Sequence, residues 1–211
     1  MKESGKASKN RSKERSGGPR VKQPAVFLDR DGTIIRHVEL LVDLKKVKLL
    51  PGAADAIRQL NRLGYLVVII TNQPVIARGL ITPAGVDKMN MAIVRRLEKF
   101  DATIHGTFYC PHHPNANVKK YRMVCSCRKP APGLLLQAMK RFDIDPKKSF
   151  MVGDAMIDIL AGARAGVRTI MVKTGPGHQR DAELAAEAKP DFIVKDILAA
   201  ARLVGRLRKR K

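Results

Sequence analysis

Short apolar runs alternate with amphipathic stretches along almost the whole chain, and that alternation limits the folds open to it. The runs lie at residues 25–29, 65–70, 104–109, 150–152, 167–172 and 192–194. Their length and their Val, Ile and Phe content suit strands buried on both faces. Between them, apolar residues recur at helical spacing. Ala53, Ala54, Ile57, Leu60 and Leu63 follow Pro51-Gly52, and Val86, Met89, Ile93, Val94 and Leu97 follow Thr82-Pro83. Gly64 sits where a helix C-cap belongs, and Thr82 at an N-cap with Pro83 in the first helical position. Further helices are expected over 134–142, 156–165 and 181–188, with a basic one after 194. Residues 34–50 follow no single period and read as a loop with short extended pieces, and Pro74 to Gly79 as a turn. Strands and helices in this order make an α/β fold, a doubly wound and mostly parallel sheet.

At 211 residues and 45% hydrophobic content the chain holds one generous domain, or one domain with tails. The net charge is +22, and its placement matters more than its size. Residues 1–22 carry eight Lys or Arg against Glu3 and Glu14, and residues 202–211 carry six basic residues and no acid. The expected organisation is a disordered basic tail over 1–23, a domain over 24–200 and a basic end over 201–211. Basic ends can draw nucleic acid, but solvated tails are the favoured reading, and aromatic platforms are scarce at 4%. No apolar run reaches the roughly 18 residues of a membrane helix, and no apolar segment follows the basic N-terminus as in a secretory signal. A cytoplasmic, monomeric protein with no membrane partner is expected.

Three of the expected strands end in the same way, with an apolar run followed at once by polar residues. The ends are Asp29-Arg30-Asp31-Gly32-Thr33, Thr71-Asn72-Gln73 and Gly153-Asp154, with Asp158 four residues on. In parallel strands these ends open on one edge of the sheet, where ligands bind in such folds. Extended backbone would turn Asp29 and Asp31 the same way, and two like charges so close call for a cation or a proton. Asp29, Asp31 and Asp154 offer hard oxygen ligands for one Mg²⁺, an ion that also binds substrate phosphate. Thr71, Asn72 and nearby N–H groups can grip phosphate oxygens, and Lys129 can supply the positive charge a transferring phosphoryl group requires.

All three cysteines lie in one segment, in Cys110-Pro111-His112 and Cys125-Ser126-Cys127. An odd number of cysteines with this clustering argues against a disulfide framework. Three thiolates and one imidazole complete a tetrahedral Zn²⁺ site with no open position, so the metal would be structural. His112 is the preferred imidazole and His113 a substitute.

The set Asp29-x-Asp31-Gly-Thr, Thr71-Asn72-Gln73, Lys129 and Gly153-Asp154-x-x-x-Asp158 resembles, in order and spacing, the four motifs of the haloacid dehalogenase superfamily of phosphatases. The match spans roughly residues 25–195. The resemblance implies that Asp29 is the nucleophile forming an aspartyl-phosphate and Asp31 the general acid and base. It assigns Thr71 and Lys129 to phosphate, and Mg²⁺ to Asp29, Asp154 and the Asp31 backbone carbonyl. Asp158 would stand one helical turn behind Asp154 and orient it. The zinc loop at 110–127 is similar to that of the cap-less branch holding heptose bisphosphate and histidinol-phosphate phosphatases. Ile76-Ala77-Arg78-Gly79 after Thr-Asn-Gln looks closer to the heptose enzymes, although Pro74-Val75 stands where those usually have Ser-Gly. Arg78 and Arg128 are substrate-binding candidates on this analogy.

The expectation is therefore a magnesium-dependent phosphomonoesterase acting on a small phosphorylated substrate, such as D-glycero-D-manno-heptose 1,7-bisphosphate. Its rivals are a histidinol-phosphate phosphatase, a polynucleotide-end phosphatase and a nucleic-acid-binding zinc module.

Overall fold

The computed structural model describes residues 22–177 and 183–209. Its centre is a six-stranded sheet in the order β3-β2-β1-β4-β5-β6, every pair parallel. The strands are β1 (Ala25–Leu28), β2 (Leu66–Asn72), β3 (Gly106–Cys110), β4 (Phe150–Gly153), β5 (Arg168–Val172) and β6 (Phe192–Val194). Alternation along β1 explains why its run is apolar at every position. Val26 and Leu28 face one core with Val67, Ile69 and Val152, while Ala25 and Phe27 face another with Val68, Ile70 and Met151.

Helices close both faces. On the first lie α1 (Ala53–Arg62), α3 (Pro83–Glu98) and α6 (Ile197–Arg208), and on the second α4 (Gly133–Phe142) and α5 (Met156–Arg164). The expected cap of α3 is present, with Thr82 Oγ1 accepting from the Gly85 N–H at 3.2 Å. The buried stripe of α3 differs in one place. Asn90 is buried among Val86, Met89, Ile93 and Leu97, while Val94 is only half-buried.

Four local expectations are corrected. Pro74–Ala77 is a short helix, α2, because Pro74 at its first turn sacrifices no hydrogen bond, and the turn comes after it at Gly79. Of the helix expected over 181–188, the described part is a 3₁₀ turn at Glu183–Ala186. The C-terminal helix does not leave the domain at 200, since Ala201, Val204 and Gly205 are buried beside α1. At the other end Gln23 already bridges to Ile144, so only residues 1–21 of the expected tail lie outside the described residues.

β1 sits between β2 and β4, so the chain winds outward one way from β1 and then crosses to the other side of it. Ligands in doubly wound sheets bind at such a reversal, beyond the strands' C-terminal ends. Asp29, Thr71-Asn72 and Asp154 all stand there.

Candidate active site

Asp29 follows β1 directly, and its backbone N–H still bonds the Val152 carbonyl of β4 at 2.9 Å. This fixes the first aspartate against the strand that carries the third. Gly32 makes the bend that follows at φ 91°, and a Cβ there would come within 2.7 Å of Asp154 Oδ2. Only glycine satisfies both the backbone and that close approach.

Lys129 is 2% exposed and lies at the centre. Its Nζ donates to Asp29 Oδ1 at 2.6 Å, to Asp158 Oδ1 at 2.6 Å and to the Ile70 carbonyl at 2.9 Å. All three donors of the ammonium are used. Burial by itself would lower the lysine's pKa, but the Asp158 and Asp29 carboxylates outweigh it and raise it. The Asn72 carboxamide holds the lysine's backbone from both sides, Oδ1 accepting from Lys129 N–H and Nδ2 donating to Lys129 C=O, each at 3.0 Å. Asn72 is thus at the site, as expected, but most of its bonding capacity serves Lys129.

The carboxylates of Asp29, Asp154 and Asp158 gather with ligand atoms within 4.8 Å of one another. Asp158 bonds Lys129 through one oxygen and the Ala155 N–H, at 3.1 Å, through the other. That leaves Asp29 and Asp154 to meet a cation. Three carboxylates against one ammonium leave a local charge of about −2, which a divalent ion balances. Burial pushes Asp29 up to about 7, against the pull of Lys129 and helped by Asp158 and Asp31. Asp154 is pushed to about 6 by burial and the Asp29 charge, with the Gly177 N–H opposing. The donor set therefore fits magnesium.

The Asp31 carboxylate lies outside this cluster, and that of Asp158 lies inside it. β1 ends at Leu28, so strand alternation does not carry through to Asp31. Asp31 Oδ2 instead faces Arg30 and Gln73. The Asp31 backbone carbonyl as a metal ligand stays an expectation drawn from the resemblance.

A cavity of about 260 Å³ joins Asp29, Asp31, His37, Thr71, Asn72 and Lys129. A second, of about 200 Å³, shares Asp31, His37 and Asn72 with it and extends to Arg128. Arg128 is thereby brought to the site, and its Nη1 donates to the His112 carbonyl at 3.1 Å. Arg78 is exposed and lines neither cavity. Sequence reasoning missed His37, Arg30 and Asn90. A polar residue in the apolar stripe of α3 was a legible signal for Asn90, whereas the unpatterned loop holding His37 offered none.

Cys110, His112, Cys125 and Cys127 converge as the spacing predicted. Cys127 Sγ lies 3.1 Å from Cys110 Sγ, 3.2 Å from Cys125 Sγ and 3.4 Å from His112 Nδ1. Three thiols and one imidazole nitrogen around a common centre are the donor set of a closed tetrahedral zinc site. His113 is turned elsewhere, its Nδ1 accepting from the Asn115 N–H at 3.1 Å.

The family model of HAD-hydrolase-like proteins matches residues 126–200. The D-glycero-beta-D-manno-heptose-1,7-bisphosphate 7-phosphatase of Salmonella typhi is 41% identical over 165 residues, 78% of this chain and 88% of the relative. The Haemophilus influenzae enzyme of the same name is 37% identical over 186 residues, 88% and 98% of the two chains. Among solved structures, the D,D-heptose 1,7-bisphosphate phosphatase of B. bronchiseptica, complexed with magnesium and phosphate, superposes with a TM-score of 0.73. It is 30% identical, over 89% of this chain and 99% of that one. Likeness of this degree over nearly the whole length has one consequence: the chain belongs to the haloacid dehalogenase-type phosphatases, in the family of the heptose bisphosphate phosphatases.

Proposed function

We propose that this chain is a Mg²⁺-dependent phosphomonoesterase that releases the 7-phosphate of a D-glycero-D-manno-heptose 1,7-bisphosphate through an aspartyl-phosphate on Asp29. The observation that carries the mechanism is the 2.6 Å contact between Asp29 Oδ1 and Lys129 Nζ at the point where the sheet reverses. A buried carboxylate beside a fixed cation is a nucleophile held ready for a polyanionic partner. The relatives' names support the sugar.

An Asp29 carboxylate oxygen attacks phosphorus, and the phosphorus–oxygen ester bond breaks as Asp31 gives its proton to the departing sugar oxygen. Water then attacks the same phosphorus. Asp31 takes a proton from that water, the Asp29–phosphorus bond breaks, and inorganic phosphate leaves. Magnesium held by Asp29 and Asp154 supplies the charge neutralisation that two approaching anions require. Thr71 Oγ1 accepts from Gln73 Nε2 at 2.9 Å, which leaves its own proton for a phosphoryl oxygen. Lys129 meets the charge that builds on the transferring group. Arg128 is the candidate for the far end of the sugar, and Arg78 is a more distant one. The Cys110, His112, Cys125 and Cys127 set holds Zn²⁺ as a structural ion. The chain acts as a monomer on a small phosphorylated substrate, which is favoured over a nucleic-acid target reached through the basic ends.

The test is release of inorganic phosphate, with magnesium, from heptose 1,7-bisphosphate, histidinol phosphate and a 3′-phosphorylated DNA oligonucleotide. The highest kcat/KM is expected for the heptose. A preference for histidinol phosphate or the DNA end would replace the substrate, and no release from any of them would remove the activity.

A further inference from the structure

We propose that the loop after β5 holds Asp154 so that it offers a metal ion a single oxygen, and that this hold makes the site prefer Mg²⁺ to Ca²⁺. The inference rests on Asp154 being a magnesium ligand, as in the reading above. β5 ends at Val172, and Lys173-Thr174-Gly175-Pro176-Gly177 follows it on the edge of the sheet that carries Asp29 and Asp154. Asp154 Oδ2 accepts from the buried Gly177 N–H at 3.0 Å. Three backbones then press on the same oxygen. A Cβ at Gly32 would come within 2.7 Å of Oδ2, a Cβ at Gly177 within 2.8 Å, and one at Gly175 would overlap it. Only glycine lets a backbone approach a carboxylate so closely. Thr174 closes the ring. Its Oγ1 donates to the Gly32 carbonyl at 2.6 Å, which ties the turn after β1 to the loop after β5.

A carboxylate packed in this way has lost its freedom to turn. Oδ2 is committed to a backbone N–H and walled by glycines, which leaves Oδ1 for an ion shared with Asp29. Asp29 is committed in the same sense, since its own Oδ1 accepts from Lys129 Nζ. The two divalent ions differ in what they require. Mg²⁺ demands an octahedron of oxygens at about 2.0–2.1 Å and is met by single carboxylate oxygens and water. Ca²⁺ takes about 6–8 oxygens at about 2.3–2.6 Å and gains from a carboxylate that gives both of its own. A held Asp154 therefore favours the smaller ion. Released from the ring, the carboxylate could turn both oxygens to the larger one. Thr174 and Gly177 act through Asp154 and are positioning residues.

The experiment is calorimetric titration of the full chain, dialysed free of magnesium, with magnesium chloride and with calcium chloride. It reads binding and needs no turnover. Thr174→Val and Thr174→Ala each remove the bond to Gly32, Thr174→Ser keeps it, and Asp154→Asn is the reference. Loss of a group that orients a metal ligand weakens binding about 10–100-fold. The valine and alanine variants should weaken magnesium by about that factor and calcium by about threefold or less, so the calcium-to-magnesium ratio of Kd falls. The serine variant should keep the ratio of the unmodified enzyme. A serine variant that behaved like valine would remove the hydroxyl from the account and overturn the ring. If Asp154→Asn loses magnesium while the valine and alanine variants keep the ratio, or weaken both ions equally, the ligand stands and the hold is wrong. If Asp154→Asn binds magnesium as tightly as the unmodified enzyme, the reading beneath the inference falls and takes the hold with it.

Discussion

Lys129 makes three bonds, and two of them are to carboxylates that would otherwise face each other across a buried cavity. Breaking a buried pair by removing one partner costs about 3–5 kcal/mol, so this lysine supports the fold as well as the reaction. Asp29 is the counterpart. Asp29→Asn keeps the shape and loses the nucleophile, because an amide forms no acyl phosphate. Turnover should fall by several orders of magnitude with little change in melting temperature, and activity within tenfold of the unmodified enzyme would remove Asp29 from its role. Its protonation also makes stability depend on pH. Asp29 is raised from 3.8 to about 7 and Asp154 from 3.8 to about 6. Between those limits the folded magnesium-free protein holds protons that the unfolded chain has released. Its stability therefore falls as pH rises from about 4 to 7, and below 4 the contribution is constant. Magnesium binds the deprotonated pair, so its stabilising effect should grow over the same interval. Melting curves with magnesium and with chelator check both slopes, and a magnesium-free protein that gained stability over that range would contradict them.

At the scale of elements, the Cys/His loop and the candidate active site are joined. Cys127 is followed at once by Arg128 and Lys129, and the Gly133 N–H at the start of α4 bonds the Ser126 carbonyl at 2.9 Å. The loop is thus tied to a helix on one side and, through Asn72, to the end of β2 on the other. Structural zinc in comparable small sites contributes on the order of 10 kcal/mol, and mild dialysis should strip magnesium but leave zinc. In Cys125→Ser, zinc content should drop, Lys129 lose its placement and kcat fall at least tenfold at any magnesium concentration. The six-stranded sheet should still form but melt lower than the parent, because Cys110 ends β3 and Cys125 and Cys127 pack against the core of Ala25, Phe27 and Met151. Metal analysis, steady-state kinetics and calorimetry on one preparation decide the matter. Full activity without zinc would separate the loop from catalysis.

For the whole molecule, charge is divided by depth. The chain carries +22 overall, yet four carboxylates, of Asp29, Asp31, Asp154 and Asp158, line the crevice with one lysine, Lys129. A basic exterior raises the local concentration of a bisphosphate, and the acidic floor attracts the divalent ion that such a substrate needs. Residues 1–22 carry eight Lys or Arg but offer almost no apolar side chain and no motif residue. Their deletion should leave kcat on a small phosphosugar unchanged when measured at saturating substrate and magnesium. Loss of most of the activity would make that segment part of the site.

The strand ends, the alternation of strands and helices and the pairing of Cys110-x-His112 with Cys125-x-Cys127 were readable from the sequence because each is a local signal. Apolar runs cut off by Asp or Thr-Asn mark strand ends within a few residues, and thiol spacing of two positions survives any packing. Gln73, Lys129 and Asp158 were visible as residues, but their partnerships were not. Which carboxylates gather with Asp29 and Asp154 depends on where β1 stops: Asp158 lies in that cluster, while Asp31 faces Arg30 and Gln73. Arg30 and Asn90 are 60 positions apart and meet only because α3 packs across the end of β1. Lys129 and Asp29 are 100 apart, and three helices, two strands and the Cys/His loop lie between them in the chain. Sequence patterning thus determined which elements form and which chemistry they carry. Packing alone decided which oxygen faces which nitrogen, because hydrogen bonds act over about 3 Å and chain periodicity carries no information at that range across elements.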